Sequence, residues 1–202
     1  MTLKDRAFDI LPWAIAALLI AGVVHIVSVL LTPLVAPRDA YASLRKAVET
    51  NGPAIAKAAQ NGVALLAPMT PDAQLLPFED PAMVEGVCLF DLAKGPLHLL
   101  ANVDGDDYFG LSFHSASGAI FHAMTDRASN KGKIDIVVGD ARQIEDLEAD
   151  DSDDAPLQET RLTAPSPLGF VLIRALAKRP SDYERARAVV EAVSCEAMTP
   201  QP

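Results

Sequence analysis

Apolar and polar positions along this chain follow two rhythms, and one long stretch has no rhythm at all. Residues 10–35 contain no charged side chain and are interrupted only by residues such as His25, Ser28, Thr32 and Pro33. Roughly 20 helical residues cross a hydrocarbon core, so this run predicts a membrane-spanning helix, with Trp13 where an indole ring favours the interface. Ala40-Tyr41-Ala42 resembles a signal cleavage site, but signal cores run about 7 to 15 residues, and an uncleaved anchor is expected. His25 inside it needs only a neutral imidazole bonded to backbone or to a neighbouring helix. Lys4 and Arg6 before the run are matched by Arg38, Arg45 and Lys46 after it, so charge does not decide orientation.

Beyond the anchor (1–37), apolar residues fall at spacings of three and four. Asp39 can cap a helix carrying Tyr41, Leu44 and Val48, which Asn51-Gly52-Pro53 stops. Pro53 suits the first turn of a second, alanine-rich helix that Asn61-Gly62 would end. Residues 68–81 hold four prolines and no period, which predicts an extended connector. A helical stalk and linker is therefore expected over 38–76, and a soluble domain over 77–198.

In that domain the rhythm changes to two. Residues 87–92 read as a strand, followed by a turn at Lys94-Gly95-Pro96. Residues 97–127 read as three consecutive antiparallel strands separated by Asp104-Gly105-Asp106 and Ser115-Ala116-Ser117-Gly118. Phe109, Leu111 and Phe113 share one face of the middle strand, and Tyr108, Gly110, Ser112 and His114 share the other. A type I turn closed by a left-handed Gly118 sets Ser115 opposite Ala119 and Phe113 opposite Phe121. That register puts His114 and His122 on one face, offset diagonally.

Residues 133–138 predict another strand and 141–147 a short helix. Between Glu145 and Asp154 seven acidic residues collect with almost no apolar partner, a loop composition that lacks the glycine a calcium loop needs. Strands follow at 159–163 and 169–176, the latter apolar enough to be buried on both faces. Ser181 with Glu184 forms a capping box for a last helix whose stripe is Tyr183, Ala186, Val189, Val190 and Val193. About seven strands with helices at the two ends predict a mainly β protein. Its soluble part would be an antiparallel β-sandwich or jelly-roll-like domain, joined to a transmembrane helix, a helical stalk and a C-terminal helix.

Charge narrows the partners. The formal net charge is −10, and all of it lies beyond the apolar run, because Lys4 and Arg6 balance Asp5 and Asp9. Such a surface repels phosphate backbones, which argues against nucleic acid. The two cysteines, Cys88 and Cys195, are a candidate disulfide in an exported domain, the alternative being two buried thiols.

Several segments carry a family resemblance. They are Pro77-Phe78-Glu79-Asp80-Pro81, Glu85-Gly86-Val87-Cys88, Lys94-Gly95-Pro96 and Asp107-Tyr108-Phe109-Gly110-Leu111-Ser112-Phe113-His114. Met124-Thr125-Asp126-Arg127, residues 134–139, residues 169–174 and Ser194-Cys195-Glu196 continue it. Together they resemble the bacterial family called domain of unknown function 1254, in its short, membrane-anchored proteobacterial members. The likeness runs from about residue 77 to 196 and implies architecture and place rather than chemistry. It implies a single-pass protein of the bacterial inner membrane with its β-rich domain in the periplasm, and a protein of domain of unknown function 1214 as partner.

Candidate chemistry is sparse. His98, His114 and His122 with Asp104, Asp106 and Asp126 are the set whose imidazoles and carboxylates could ligate a divalent metal or move a proton. No HxH, HExxH or CxxC spacing supports a metal, so neither a metal nor another cofactor is expected. The family resemblance singles out Asn102 and Tyr108 around the strand turn, beside Asp107 and Arg127. Asp126 with Arg127 could bind a carboxylate or sugar hydroxyls, although Asp and Asn commonly cap such turns. Ser112, Ser115 and Ser117 lie near His114, but no strand-to-helix nucleophile elbow surrounds them. No phosphate loop or dinucleotide fingerprint occurs. The expectation is a non-enzymatic binding or interaction module of the cell envelope, using Asn102, Asp107, Tyr108, His114, His122, Asp126 and Arg127. The alternative is an envelope hydrolase or metal-dependent enzyme built on His114 and His122.

Overall fold

A computed structural model describes residues 3–35, 39–68, 80–103, 107–149 and 159–198. The chain divides into two compact units, Met1–Pro37 and Arg38–Pro202. The first unit is one helix, α1 (Leu3–Val35). Its 21-residue segment Leu11–Leu31 is long and apolar enough to cross a membrane. Its large side chains are exposed, Trp13 at 77% and Leu18 at 73%.

The second unit begins with α2 (Asp39–Thr50). Asn51 ends it by turning left-handed at φ 46°, and the Gly52 amide donates back to the Ala47 carbonyl at 3.0 Å. The second helix expected after Pro53 does not form. Its alanine-rich sequence is instead a strand, β1 (Ile55–Gln60), which reverses at Asn61 and Gly62 into β2 (Val63–Leu66). Both turn residues have positive φ, 50° and 78°, the conformation that makes Asn-Gly a strong two-residue hairpin signal. Pairing with β2 overrides alanine's modest helix preference. The expected helical stalk over 38–76 is thus corrected to a helix and a hairpin built into the globular unit. Leu44 and Ala47 of α2 pack with Leu66, Val87, Phe170 and Leu172. The expected boundary at 76 falls outside the described residues.

The remaining strands are β3 (Met83–Asp91), β4 (Leu97–Asn102), β5 (Phe109–Ser115), β6 (Ile120–Thr125), β7 (Lys133–Gly139), β8 (Thr160–Thr163), β9 (Leu168–Leu176) and β10 (Ser194–Ala197). Helix α3 (Ala141–Ala149) precedes β8, and α4 (Tyr183–Glu191) precedes β10. Six strands form an antiparallel sheet in the order β1-β2-β3-β9-β5-β6. Four form a second sheet, β10-β4-β7-β8, in which β7 and β8 run parallel. The protein is mainly β and sandwich-like, as expected, but with ten strands rather than about seven among the described residues. β1, β2 and β10 are short or alanine-rich, and periodicity under-reads them.

One core lies between the sheets. Phe109, Leu111, Phe113, Val171 and Ile173 from the larger sheet meet Leu97, Leu99, Ile134, Ile136 and Val138 from the smaller. Ala186, Val190 and Val193 complete it, and an added Cβ at Gly86 would lie 2.6 Å from a Val190 methyl, so α4 sits directly on β3. The expected Ser181 cap is displaced by one residue: a 3-10 turn (Pro180–Asp182) leads into α4, and the Asp182 carboxylate accepts the Arg179 amide at 3.1 Å.

Two further expectations are corrected. β4 does not pair with β5. It belongs to the smaller sheet, so the chain changes sheet between Val103 and Asp107 rather than making a simple hairpin. The turn after β5 does form as expected, with the Ser115 amide donating to Ala119 at 2.9 Å and Gly118 at φ 82°. A β-bulge follows, however, and sets His122 rather than Phe121 opposite Phe113, and Ile120 opposite His114. Because side chains alternate, His114 and His122 project from opposite faces of the sheet.

Cys88 and Cys195 form a disulfide across a sequence separation of 107 residues. It joins β3 of the larger sheet to β10 of the smaller. The last helix, α4, ends at Glu191, and Cys195 lies beyond it in β10.

Candidate functional site

A cleft forms where β3 runs out beneath α2. The Asp91 carboxylate accepts the Ala93 amide at 3.1 Å and starts a single 3-10 turn (Leu92–Lys94) that carries the chain to β4. Gly95 closes that turn at φ 127°, against the end of β10. An added Cβ there would meet the Met198 carbonyl at 2.2 Å, so only glycine allows the close approach. The resulting cleft has a volume of about 430 Å³. Tyr41, Arg45 and Glu49 line one wall, one helical turn apart on α2. Leu89, Phe90 and Asp91, then Lys94, Leu97, Leu168 and Ala197, line the rest.

Its charges are loosely held. Arg45 Nε lies 3.7 Å from Glu49, its Cζ lies over the Tyr41 ring at 5.8 Å, and Lys94 Nζ lies 3.9 Å from Asp91. Both ion pairs are longer than a charge-assisted hydrogen bond, so a ligand's polar groups can redirect them at small cost. The cleft therefore offers an apolar floor with cations and carboxylates at its mouth.

A second polar constellation lies on the outward face of the smaller sheet. His98 Nε2 of β4 is 2.8 Å from Asp135 Oδ1 of β7, and Lys133 Nζ donates to Asp135 Oδ2 at 2.8 Å. Burial pushes the Asp135 carboxyl up, but the bonds from Lys133 and His98 outweigh it and hold the pKa below the usual value. Beside it, Arg161 Nε donates to Glu159 Oε1 at 2.9 Å.

The residues singled out from sequence scatter. His114 stacks on Phe170 with centroids 4.5 Å apart. Its Nδ1 donates to the Gly118 carbonyl at 3.3 Å, which leaves Nε2 to accept the Ser112 hydroxyl at 2.9 Å. Burial pushes its pKa down, against the Gly118 bond that raises it, and the Arg174 charge adds to the fall. His122 instead lies beside Phe113, centroids 5.9 Å apart, on the core side. A single site built on both histidines is therefore removed.

Asp107 is held by Lys178 at 2.7 Å and by Arg185, which keeps its carboxyl below the usual range, the Lys178 bond being the main cause. Tyr108 beside it is 41% exposed. Asp126 accepts the Phe109 amide at 3.3 Å and serves the turn, while Arg127 and Asn102 are exposed. Ser115 and Ser117 bond each other at 2.7 Å within their turn. Asp104 and Asp106 lie outside the described residues. None of the seven binding candidates lines the cleft. Sequence reasoning missed Tyr41, Arg45 and Glu49, whose spacing of four on a helix was the available signal, and Asp135 and Glu159, which had none.

A two-sheet, disulfide-bridged β domain with a binding-sized cleft, following a membrane-competent helix, is the class that fold and site define. The chain belongs to the family described as protein of unknown function DUF1254, whose profile matches residues 60–197. No curated protein matches it. The crystal structure of the VPA0106 protein from Vibrio parahaemolyticus is similar at 15% identity and TM-score 0.53, over 82% of this chain and 37% of that one. A putative uncharacterized protein from Burkholderia cenocepacia is similar at 11% identity and TM-score 0.40, over 71% and 36%. The chain thus spans little more than a third of the length of these relatives.

Proposed function

We propose that this protein is a binding module of the bacterial envelope, tethered to the inner membrane by α1, whose periplasmic domain takes a segment of a partner protein into the cleft beneath α2. The observation that carries the reading is the cleft. Its 430 Å³ lies in the range of about 300 to 1,000 Å³ typical of ligand sites, and its polar groups are loosely paired. The Cys88–Cys195 disulfide supports export, since such bridges persist in oxidising compartments. The partner proposed first is a protein of domain of unknown function 1214, the companion that the family resemblance implies.

The test places a photo-crosslinking amino acid at Arg45 or at Lys94 of the full chain in living cells. A product of one defined mass from both positions, absent when the probe sits at exposed Arg142, is expected. No product from either cleft position would remove the binding role. Protease added to spheroplasts should digest the β domain, and full protection would remove the periplasmic placement.

A further inference from the structure

We propose that His98, Asp135 and Glu159 form a divalent-cation site, suited to zinc, on the outward face of the four-stranded sheet. The three residues come from adjacent strands or their edges: His98 from β4, Asp135 from β7, and Glu159 from the residue before β8. The parallel pairing of β7 with β8 sets Ile136 beside Thr160, which carries Glu159 alongside Asp135 on the same face. One ligand atom from each residue lies within 4.8 Å of the other two. All three side chains are partly buried, at 32%, 13% and 25% exposure, so an ion would be reachable yet shielded from bulk water.

The carboxylates are oriented as metal ligands are. A ligating side chain is commonly held in place by a hydrogen bond on its far side, which fixes its geometry and tunes its basicity. Lys133 holds Asp135 by Oδ2, leaving Oδ1 turned to His98 Nε2, and Arg161 holds Glu159 by Oε1. Zinc would replace the His98–Asp135 hydrogen bond, a contact between the same two atoms. One imidazole nitrogen and two carboxylate oxygens suit zinc better than calcium or magnesium, which take oxygen ligands alone. Three protein ligands leave a fourth position for water or for an oxygen of a bound molecule. The competing reading is that the five side chains are ion pairs and nothing more. This site is on a different sheet face from the cleft and does not depend on the proposed binding role.

The test uses full-length protein in detergent, stripped with a chelator and titrated with zinc against a chromogenic competitor. One equivalent should bind, and His98→Ala, Asp135→Asn and Glu159→Gln should each weaken it by at least about tenfold. Zinc should raise the melting temperature of the wild type, and by less that of Glu159→Gln at the same zinc concentration. Stoichiometry and affinity unchanged in all three variants would assign binding elsewhere, the acidic stretch 145–154 included, and overturn the site. Cobalt spectra of the wild type add a measure that needs no variant to fold. Four-coordinate absorption supports the site, and a spectrum no different from aqueous cobalt overturns it.

Discussion

Phe113 faces His122 across the β5–β6 hairpin, while His114, the next residue, stacks on Phe170 from the other side of the sheet. The bulge after the hairpin turn is responsible, since one extra residue in β6 exchanges the faces. Among the described residues the two histidines share no side-chain partner. Alanine substitutions at His114 and His122 should therefore change unfolding free energy additively, within about 0.5 kcal/mol, in a double-mutant cycle followed by urea denaturation. A coupling above about 1 kcal/mol would show that they act as a unit.

Helix α2 is part of the globular domain rather than a spacer. Leu44 is fully buried against Val87, Phe170 and Leu172, so Leu44→Ala should cost about 2 to 5 kcal/mol. A free-standing stalk would lose almost nothing. Circular dichroism melts of the two proteins decide the matter.

The disulfide closes a loop of 107 residues, which by chain entropy corresponds to about 4 to 5 kcal/mol of stabilisation. Replacing Cys88 and Cys195 together by serine should shift the urea midpoint down accordingly. Intact-mass measurement without reductant should find the native protein two hydrogen atoms lighter than its reduced form.

Asp107 gives the domain an acid-sensitive contact. Lys178 and Arg185 hold its pKa below the ordinary 3.8. A depressed carboxyl contributes stability above its unfolded value and loses it as pH falls through the folded one. Asp107→Asn should accordingly melt below the wild type at neutral pH, and the gap should close as pH drops below 3.8. A gap of the same size at pH 7 and about pH 2 would contradict the ion-pair account.

At Gly62 an added Cβ would sit 1.7 Å from the Cys195 carbonyl oxygen, where the β1–β2 turn meets β10. The position also has φ 78°. Gly62→Ala should therefore destabilise by about 1 to 3 kcal/mol, measured by thermal unfolding, whereas Gly118→Ala, with open space around it, should cost less.

The central strands β3, β5, β7 and β9 were legible in the sequence because each buries one or both faces, and burial writes itself as alternation or as an unbroken apolar run. β1 was not, because Ala56, Ala58 and Ala59 carry a helical preference that only the Asn61-Gly62 turn contradicts. The turn at Gly118 was legible, but the bulge beyond it was not, since an extra residue leaves no mark on composition. The cleft escaped notice because its walls come from α2, β3 and β10, which topology alone assembles. His98 stood out, yet its partner Asp135 is 37 residues away and joined by sheet pairing. Glu159 reaches that pair only through the parallel β7–β8 contact, which no local pattern announces.

The bridge between β3 and β10 also governs how this domain answers a pull. Tension applied between α1 and the carboxyl end can peel away α2, β1 and β2, but it meets a covalent stop at Cys88. Roughly 350 Å of contour length between the two sulfurs stays hidden from the force until a reductant arrives. Stretched in single-molecule experiments, the oxidised protein should yield a short extension and the reduced one a long one, so the redox state of its surroundings sets how far the chain can lengthen.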